Sequence, residues 1–201
     1  MITCMEDIRL DETKQRIIDA TMALIRDKGY VTTTTKDIAN MANVNECTIF
    51  RKFKSKQEIV VAGIQQEQWR GNVTPDIFTD VVWELEPDLE MFMNNYMQRI
   101  TPDFVKLSIG LRAPQIYEEA APFIRKIPEA FLGTLTSYFE QMHEKGKIKK
   151  ADFESLAMTI FSTAFGFTFL KASFQDTLTT IERQDFVKKS VMLFAQGILK
   201  L

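Results

Sequence analysis

Three helix-start signals lie close together within residues 34–58 of this chain. Thr34 is followed three residues later by Asp37, and Ser55 by Glu58, which is the spacing of a capping box. Asn45 lies between them as a third candidate cap. Starts this close together predict short helices joined by turns rather than one long helix. The connection at residues 42–45 has the length found in a helix-turn-helix, whose second helix enters the major groove of DNA.

Apolar residues recur at three- and four-residue spacing along the rest of the chain, the period of an α-helix. Gly29 supplies a helix stop and Pro102 a helix start, and we expect breaks at Pro114, Pro122 and Pro128. The predicted fold is all-α. The predicted helices cover residues 13–28, 35–41, 46–53, 56–70, 76–84, 88–100, 102–111, 127–145, 152–174 and 186–201.

The charge balance at first argues against a nucleic-acid partner, because the net charge is -2 and the isoelectric point is near 5.6. The distribution changes that conclusion. Residues 51–56 contain Arg51, Lys52, Lys54 and Lys56 and no acidic residue, whereas residues 61–201 hold 15 Lys and Arg against 18 Asp and Glu. A local basic patch therefore lies at the end of the predicted recognition helix.

Several classes of protein are disfavoured by the sequence. His143 is the only histidine, and neither a metal-ligand spacing nor a Gly-rich phosphate loop occurs, so we expect no enzyme activity, metal or cofactor. Cys4 and Cys47 do not form a disulfide framework, and no signal-peptide pattern precedes them, which predicts a cytoplasmic location. The longest uncharged run, residues 155–170, is shorter than the roughly 20 residues that span a bilayer, so we expect a buried helix and no membrane association.

The predicted helix-turn-helix belongs to a longer pattern of spaced residues: Thr13, Arg16, Ile17, Ile18, Ala23, Gly29, Thr34, Asp37, Ile38, Ala39, Ala42, Asn43, Val44, Asn45, Thr48, Ile49, Phe50, Phe53, Lys54, Ser55, Lys56 and Glu58. This pattern resembles the N-terminal DNA-binding domain of TetR family transcriptional regulators. The resemblance covers about residues 10–60; beyond that point only the length and the helical character are similar.

The resemblance implies a ligand-responsive transcriptional regulator, most commonly a repressor, that binds palindromic double-stranded operator DNA as a homodimer. It divides the chain into a helix-turn-helix DNA-binding domain, residues 1–55, and a helical effector-binding and dimerisation domain, residues 56–201. The last two predicted helices carry broad apolar faces and correspond to the family's dimer interface, so we expect a four-helix bundle with a second copy. The alternatives are a helical ligand-binding or scaffold protein with a vestigial DNA-binding head, or an activator.

Candidate DNA-binding residues follow from the motif. Thr35, Lys36 and Lys56 stand at helix starts, where phosphate contacts fix the register. A solvated helix face is the open alternative for each residue of the recognition helix. The full candidate set is Thr34, Thr35, Lys36, Asn45, Glu46, Cys47, Thr48, Phe50, Arg51, Lys52 and Lys56.

Two candidates depart from the family pattern. Cys47 stands where the family often has Gly, and Phe50 where it usually has a Tyr whose phenol bonds a phosphate. Phe50 cannot make that bond, so either one backbone contact is missing or Thr48 or Lys52 takes its place. For Cys47 the two interpretations are a redox-sensing thiol and a small residue tolerated at a close approach, and the second is favoured because no resolving cysteine is near.

Aromatic residues in the second predicted domain exceed what helix packing requires. They predict a cavity for a hydrophobic small-molecule effector, although plain core is the competing interpretation. The candidate ligand-binding residues are Phe92, Tyr96, Phe104, Tyr117, Phe131, Tyr138 and Phe165.

Overall fold

A computed structural model describes the backbone of residues 2–66 and 80–200 and the side chains of residues 12–66 and 80–198. Throughout these ranges the regular structure is helical, which confirms the all-α prediction. The helices are α1 (Ile2–Lys28), α2 (Thr35–Ala42), α3 (Glu46–Lys52), α4 (Lys56–Ile64), α5 (Leu85–Arg99), α6 (Pro102–Gly110), α7 (Tyr117–Glu144), α8 (Phe153–Phe174) and α9 (Arg183–Lys200).

One compact unit consists of residues 1–71 and 103–124. Its core is built from one apolar face each of α1, α2, α3 and α4, with α6 and the start of α7. Ile17 and Ile25 of α1 are fully buried, as are Ile38 of α2 and Ile59 of α4, and Ile49 of α3 is almost so. The short helix α3 is thus held by a core much larger than itself.

The second compact unit consists of residues 72–102 and 125–201. Its core contains interlocked aromatic rings: Tyr96 meets Phe131 edge-on with ring centroids 4.7 Å apart, and both rings contact Phe161 of α8. Phe139 of α7 and Phe194 of α9 form a further ring pair, tilted and with centroids 6.0 Å apart. The boundary predicted at residue 55, between a DNA-binding domain and an effector-binding domain, stays a prediction.

The structure corrects several predicted helix bounds. Helix α1 begins at Ile2 instead of residue 13, and α4 ends at Ile64 instead of residue 70. Most of the helix predicted at 76–84 lies outside the described residues, and residues 80–84 are not helical.

The predicted helix breaks at Pro122 and Pro128 are wrong, because α7 runs through both without interruption. Each proline removes one backbone donor and strains one turn. The remaining bonds of this 28-residue helix and the burial of Phe131, Leu135 and Phe139 outweigh that cost.

Helix α8, which the sequence predicts to be covered by packing against a second copy, is exposed along one side in the single chain. The span Phe153–Thr177 is long and apolar enough to cross a membrane by length and composition: its apolar 18-residue window has a mean hydropathy of 1.3, yet only 22% of that window is buried. Met158, Phe165, Leu170 and Phe174 remain exposed on α8. One such helix is weak evidence for a membrane span, and its exposed side is equally suited to a protein partner.

Candidate nucleic-acid interface

All three predicted caps are present in the segment 34–58. The Thr34 hydroxyl accepts a 3.1 Å hydrogen bond from the Asp37 amide, and the Asp37 carboxylate accepts one of 3.0 Å from the Thr34 amide. Asn45 caps α3 through the Cys47 amide at 2.9 Å. Ser55 caps α4 through the Glu58 amide at 3.2 Å. Each helix start therefore lies where the side-chain chemistry of the sequence predicts it.

The turn between α2 and α3 depends on Asn43, which adopts the left-handed conformation with φ of 51°. Asparagine tolerates this region better than most residues. The amide of Asn43 donates to the Asn40 carbonyl at 3.2 Å, and that of Val44 to the Ala39 carbonyl at 3.0 Å. These bonds end α2 and set the direction in which α3 leaves.

Helix α3 has one anchored side and one open side. Ile49 is 1% exposed, and Phe53, at the C-terminal cap, is buried with it in the core of the first unit. Cys47, Phe50 and Arg51, at positions i, i+3 and i+4, are exposed together on the opposite side. Among the predicted contact residues, Glu46, Thr48 and Lys52 are half-buried at the flanks, and Asn45 is exposed at the cap.

A hydrogen bond ties the start of α2 to the start of α3. The Thr35 hydroxyl donates to the Glu46 carboxylate, so this acid already has a partner within the protein. Lys36, beside Thr35, is exposed, whereas Thr35 itself is half-buried. The bond holds the two helices of the motif in a fixed relation at the end where phosphates are expected.

Lys56 is engaged by the protein itself. Its ammonium donates to the carbonyl oxygens of Tyr30 and Thr33, each at 2.6 Å, and lies 4.0 Å from the centroid of the Tyr30 ring. Burial lowers the pKa of Lys56 from its ordinary value. The sequence pattern predicted Lys56 as a phosphate contact and gave no sign of these acceptors, which come from the turn before α2.

The charges around the motif are arranged in two groups. Lys28 pairs with Asp37 at 2.7 Å, and this bond, with those from Thr34, holds the pKa of Asp37 well below its usual range. The second group is basic: burial and the nearby positive charges of Arg51 and Lys14 lower the pKa of Lys52. Lys14, an exposed residue of α1, thereby extends the basic patch. It lies far from residues 51–56 in the chain, so the spacing of residue types does not reveal its place beside Lys52.

The predicted effector residues are not brought together as one group. Phe92, Tyr96, Phe131 and Tyr138 are buried, and rings among them pack against one another, while Phe165 is 39% exposed. Burial raises the pKa of Tyr96, and burial with the bond to Asp88 raises that of Tyr138. Phe104, half-buried, and Tyr117, exposed, belong to the first compact unit instead.

A cleft of about 330 Å³ lies in the second unit, and none of the seven predicted effector residues lines it. Met97 and Ile100 from the end of α5 and Phe167 from α8 form its apolar side. Lys171 and Arg183 lie at its polar side, where Lys171 is paired with Asp176 at 2.7 Å.

A short helix with a capped start, a buried rear side and an exposed front, preceded by a second short helix across a tight turn, defines a helix-turn-helix DNA-binding protein. Residues 17–62 match the family model described as bacterial regulatory proteins, tetR family. The chain is 32% identical over 187 residues to the HTH-type transcriptional regulator YvkB of Bacillus subtilis, which covers 92% of this chain and 97% of that protein. The chain belongs to the TetR family of transcriptional regulators.

Further relatives and solved structures agree with this assignment. The biofilm operon negative transcriptional regulator IcaR of Staphylococcus aureus is 25% identical over 182 residues, or 84% of this chain and 89% of that protein. FadR of Bacillus subtilis, solved in complex with stearoyl-CoA, shares the fold with a TM-score of 0.64 at 20% identity, over 92% of this chain and 98% of that one. FadR of Bacillus halodurans gives a TM-score of 0.63 at 22% identity, over 90% and 93% of the two chains.

Proposed function

We propose that this protein is a homodimeric transcriptional repressor that binds a palindromic operator and is released from it by a hydrophobic small molecule. The observation that carries the proposal is helix α3, anchored by Ile49 and Phe53 on one side and open at Phe50 and Arg51 on the other. A rigid helix with an open front can enter the major groove without rearrangement. Two such helices in a dimer would reach half-sites about 34 Å apart.

The DNA contacts divide by chemistry. Arg51 is the candidate for reading a guanine, because its guanidinium can bond both major-groove acceptors of that base. Thr34, Thr35 and Lys36 at the start of α2 are the candidates for phosphate contacts, together with Lys52 and Lys14. Lys56 we assign to positioning, since two of its three donors already bond to the carbonyls of Tyr30 and Thr33.

The dimer would form through α8 and α9. Phe165 and Phe174 on α8 and Met192 and Leu193 on α9 are large apolar side chains between 39% and 66% exposed. Exposed apolar surface of this kind marks an interaction site in a globular protein. A second copy of the same pair would cover it and complete a four-helix bundle.

The effector site proposed here is the cleft of the second unit, with its apolar side at Met97, Ile100 and Phe167. Its volume of about 330 Å³ is at the lower end of the range for small-molecule sites. The complex of the Bacillus subtilis FadR with stearoyl-CoA supports an apolar effector for the shared fold. Release requires that the effector bind the form that cannot engage the operator more tightly than the form that can.

The sign of regulation rests on the relatives. IcaR is by its name a negative regulator, and this supports repression as the role of the present chain. A repressor acts by occupying its operator, and a helix-turn-helix is sufficient for that binding.

The test begins with selection of bound duplexes from a random-sequence library by the full-length protein. Binding of the selected duplex is then measured by fluorescence anisotropy at several salt concentrations. We expect affinity to fall steeply with salt, and Arg51→Ala to weaken binding to the selected duplex by roughly 5- to 150-fold per half-site, the range for one good base contact. Lys149→Ala, an exposed change in the second unit, is the matched control and should bind as the wild type does. Unchanged binding by Arg51→Ala would contradict the proposal.

A further inference from the structure

Phe50 is the most apolar group on the open side of α3, with 56% of its surface exposed. Its helical neighbours on that side, Cys47 and Arg51, are exposed as well. The ring cannot turn inward, because Ile49 and Phe53 fix the rotation of the helix about its own axis from within the core. The protein therefore holds an aromatic ring toward solvent at the centre of its recognition element.

A phenyl ring carries neither a hydrogen-bond donor nor an acceptor. It cannot form a conventional hydrogen bond to a phosphate oxygen or to the polar atoms of a base edge, so on the floor of the groove its main gain comes from contact with another apolar group. Among the base edges of the major groove, the C5-methyl group of thymine is the one apolar group presented. Among the base edges, that of thymine therefore offers the ring the largest apolar contact.

We propose that Phe50 is a specificity-determining residue that packs its ring against the C5-methyl group of a thymine in each operator half-site. The inference rests on the proposed function, since it requires α3 to lie in the major groove. It assigns sequence reading to an apolar contact beside the polar contact of Arg51. The Glu46 carboxylate is held by Thr35 and leaves this part of the front to the ring.

The surroundings of Phe50 support a contact of its ring with a base rather than with the protein's own surface. Within the described residues, Phe50 makes no aromatic pair, in contrast to the packed rings of the second unit. Covering the ring on binding would remove apolar surface from water, and this gain is available only where the DNA offers a complementary apolar group.

The test replaces thymine by 2′-deoxyuridine, which keeps the base pair and removes only the methyl group. The probe is the duplex selected by the full-length protein, with each thymine replaced in turn together with its symmetry mate. We expect one thymine per half-site at which the wild type loses about fourfold in affinity per methyl group, the factor for burying one such group. Phe50→Ala should bind the thymine and uracil duplexes equally.

The controls separate this contact from a general loss of binding. Val31→Ala removes an apolar side chain that is 63% exposed outside α3 and should keep the wild-type preference for thymine over uracil. Phe50→Leu should keep part of that preference, because an apolar side chain remains. Thermal unfolding of each variant verifies that the fold is retained, as expected for exposed positions.

Two results would overturn the inference while leaving the proposed function intact. One is an operator in which no thymine-to-uracil change weakens wild-type binding. The other is a preference for thymine that persists in Phe50→Ala, which would place the ring against the sugar-phosphate backbone. Failure to select any duplex at all would overturn the proposed function and this inference with it.

Discussion

The hydroxyl of Tyr138 donates a 2.9 Å hydrogen bond to the carboxylate of Asp88, a residue only 1% exposed. The same carboxylate accepts bonds from the amides of Val82 at 2.9 Å and Glu84 at 3.0 Å. Asp88 therefore fixes the chain that leads into α5 and ties it to α7. A buried carboxylate is stable only when its lone pairs have donors in this way.

Tyr138→Phe should lower the free energy of unfolding by about 1.5–3 kcal/mol, because it removes one hydrogen bond to a buried charged group and leaves the ring in place. Chemical denaturation of the full-length protein measures the change. Tyr117→Phe, at a tyrosine that is 46% exposed, should change it by less than about 0.5 kcal/mol. Equal stabilities for the two variants would show that the Tyr138 bond contributes nothing net.

Alkaline pH should destabilise the second unit through its buried tyrosines. Burial raises the pKa of Tyr138 and of Tyr96 in the folded protein, whereas both return to about 10 on unfolding. Below pH 10 both states keep the proton and the stability is fully present. Above it only the unfolded state loses the proton, so stability should fall by up to about 1.4 kcal/mol per pH unit for each tyrosine.

Denaturation at a series of pH values between 9 and 11.5 tests the sign and the source of this effect. Tyr138→Phe should be less stable at neutral pH, yet its stability should fall less steeply with pH by about one proton. An unchanged slope would assign the alkaline loss to other groups.

Lys56→Met should separate a positioning role from a phosphate contact. The variant keeps the apolar stem and removes the two bonds to the Tyr30 and Thr33 carbonyls, so we expect a loss of roughly 2 kcal/mol in stability. The slope of log affinity for DNA against log salt should stay that of the wild type. Lys36→Ala, the exposed comparison, should reduce that slope by about 0.9 with little change in stability. A reduced slope for Lys56→Met would instead indicate a phosphate contact.

The close approach of α6 to α1 depends on Gly110. A Cβ atom there would lie 2.6 Å from the Ile25 carbonyl oxygen, which also accepts the Gly29 amide at 2.8 Å. Gly110→Ala should therefore cost about 1–3 kcal/mol through displacement of backbone. Gly133→Ala, inside α7 with nothing within 4 Å of the added atom, should gain up to about 1 kcal/mol. Thermal unfolding that gives both variants the same sign of change would contradict this packing.

Local chemistry made the DNA-binding head predictable. The Thr34, Asn45 and Ser55 caps act over two or three residues, so the spacing of residue types is sufficient to predict them. The partners of Lys56 and the position of Lys14 beside Lys52 depend on how separate helices meet, and periodicity carries no such information. The predicted helix breaks at Pro122 and Pro128 are wrong for the same reason, because α7 is stabilised by the burial of its side chains in the tertiary structure.

The aromatic residues show a related limit. Composition indicates an excess of rings, but whether a ring lines a cavity or fills the core depends on packing across helices. Phe92 and Phe131 meet edge-on at 5.8 Å between centroids as buried neighbours, while the cleft is lined by Met97, Ile100 and Phe167. Which residues line a cavity can thus be read only from the tertiary structure, whereas the position of helix α3 could be predicted from the sequence.

Leu193→Glu should break the proposed dimer. Leu193 is 66% exposed on α9, so a charge there costs nothing in the isolated chain, but in an interface it would be buried without a partner. We expect light scattering to change from the mass of two chains to that of one. Affinity for the selected duplex should fall by at least about 100-fold, because two linked half-site contacts become independent ones.

Gln184→Glu adds the same charge at an exposed position at the start of α9 and should remain a dimer. A dimeric Leu193→Glu variant with full operator affinity would remove this part of α9 from the interface.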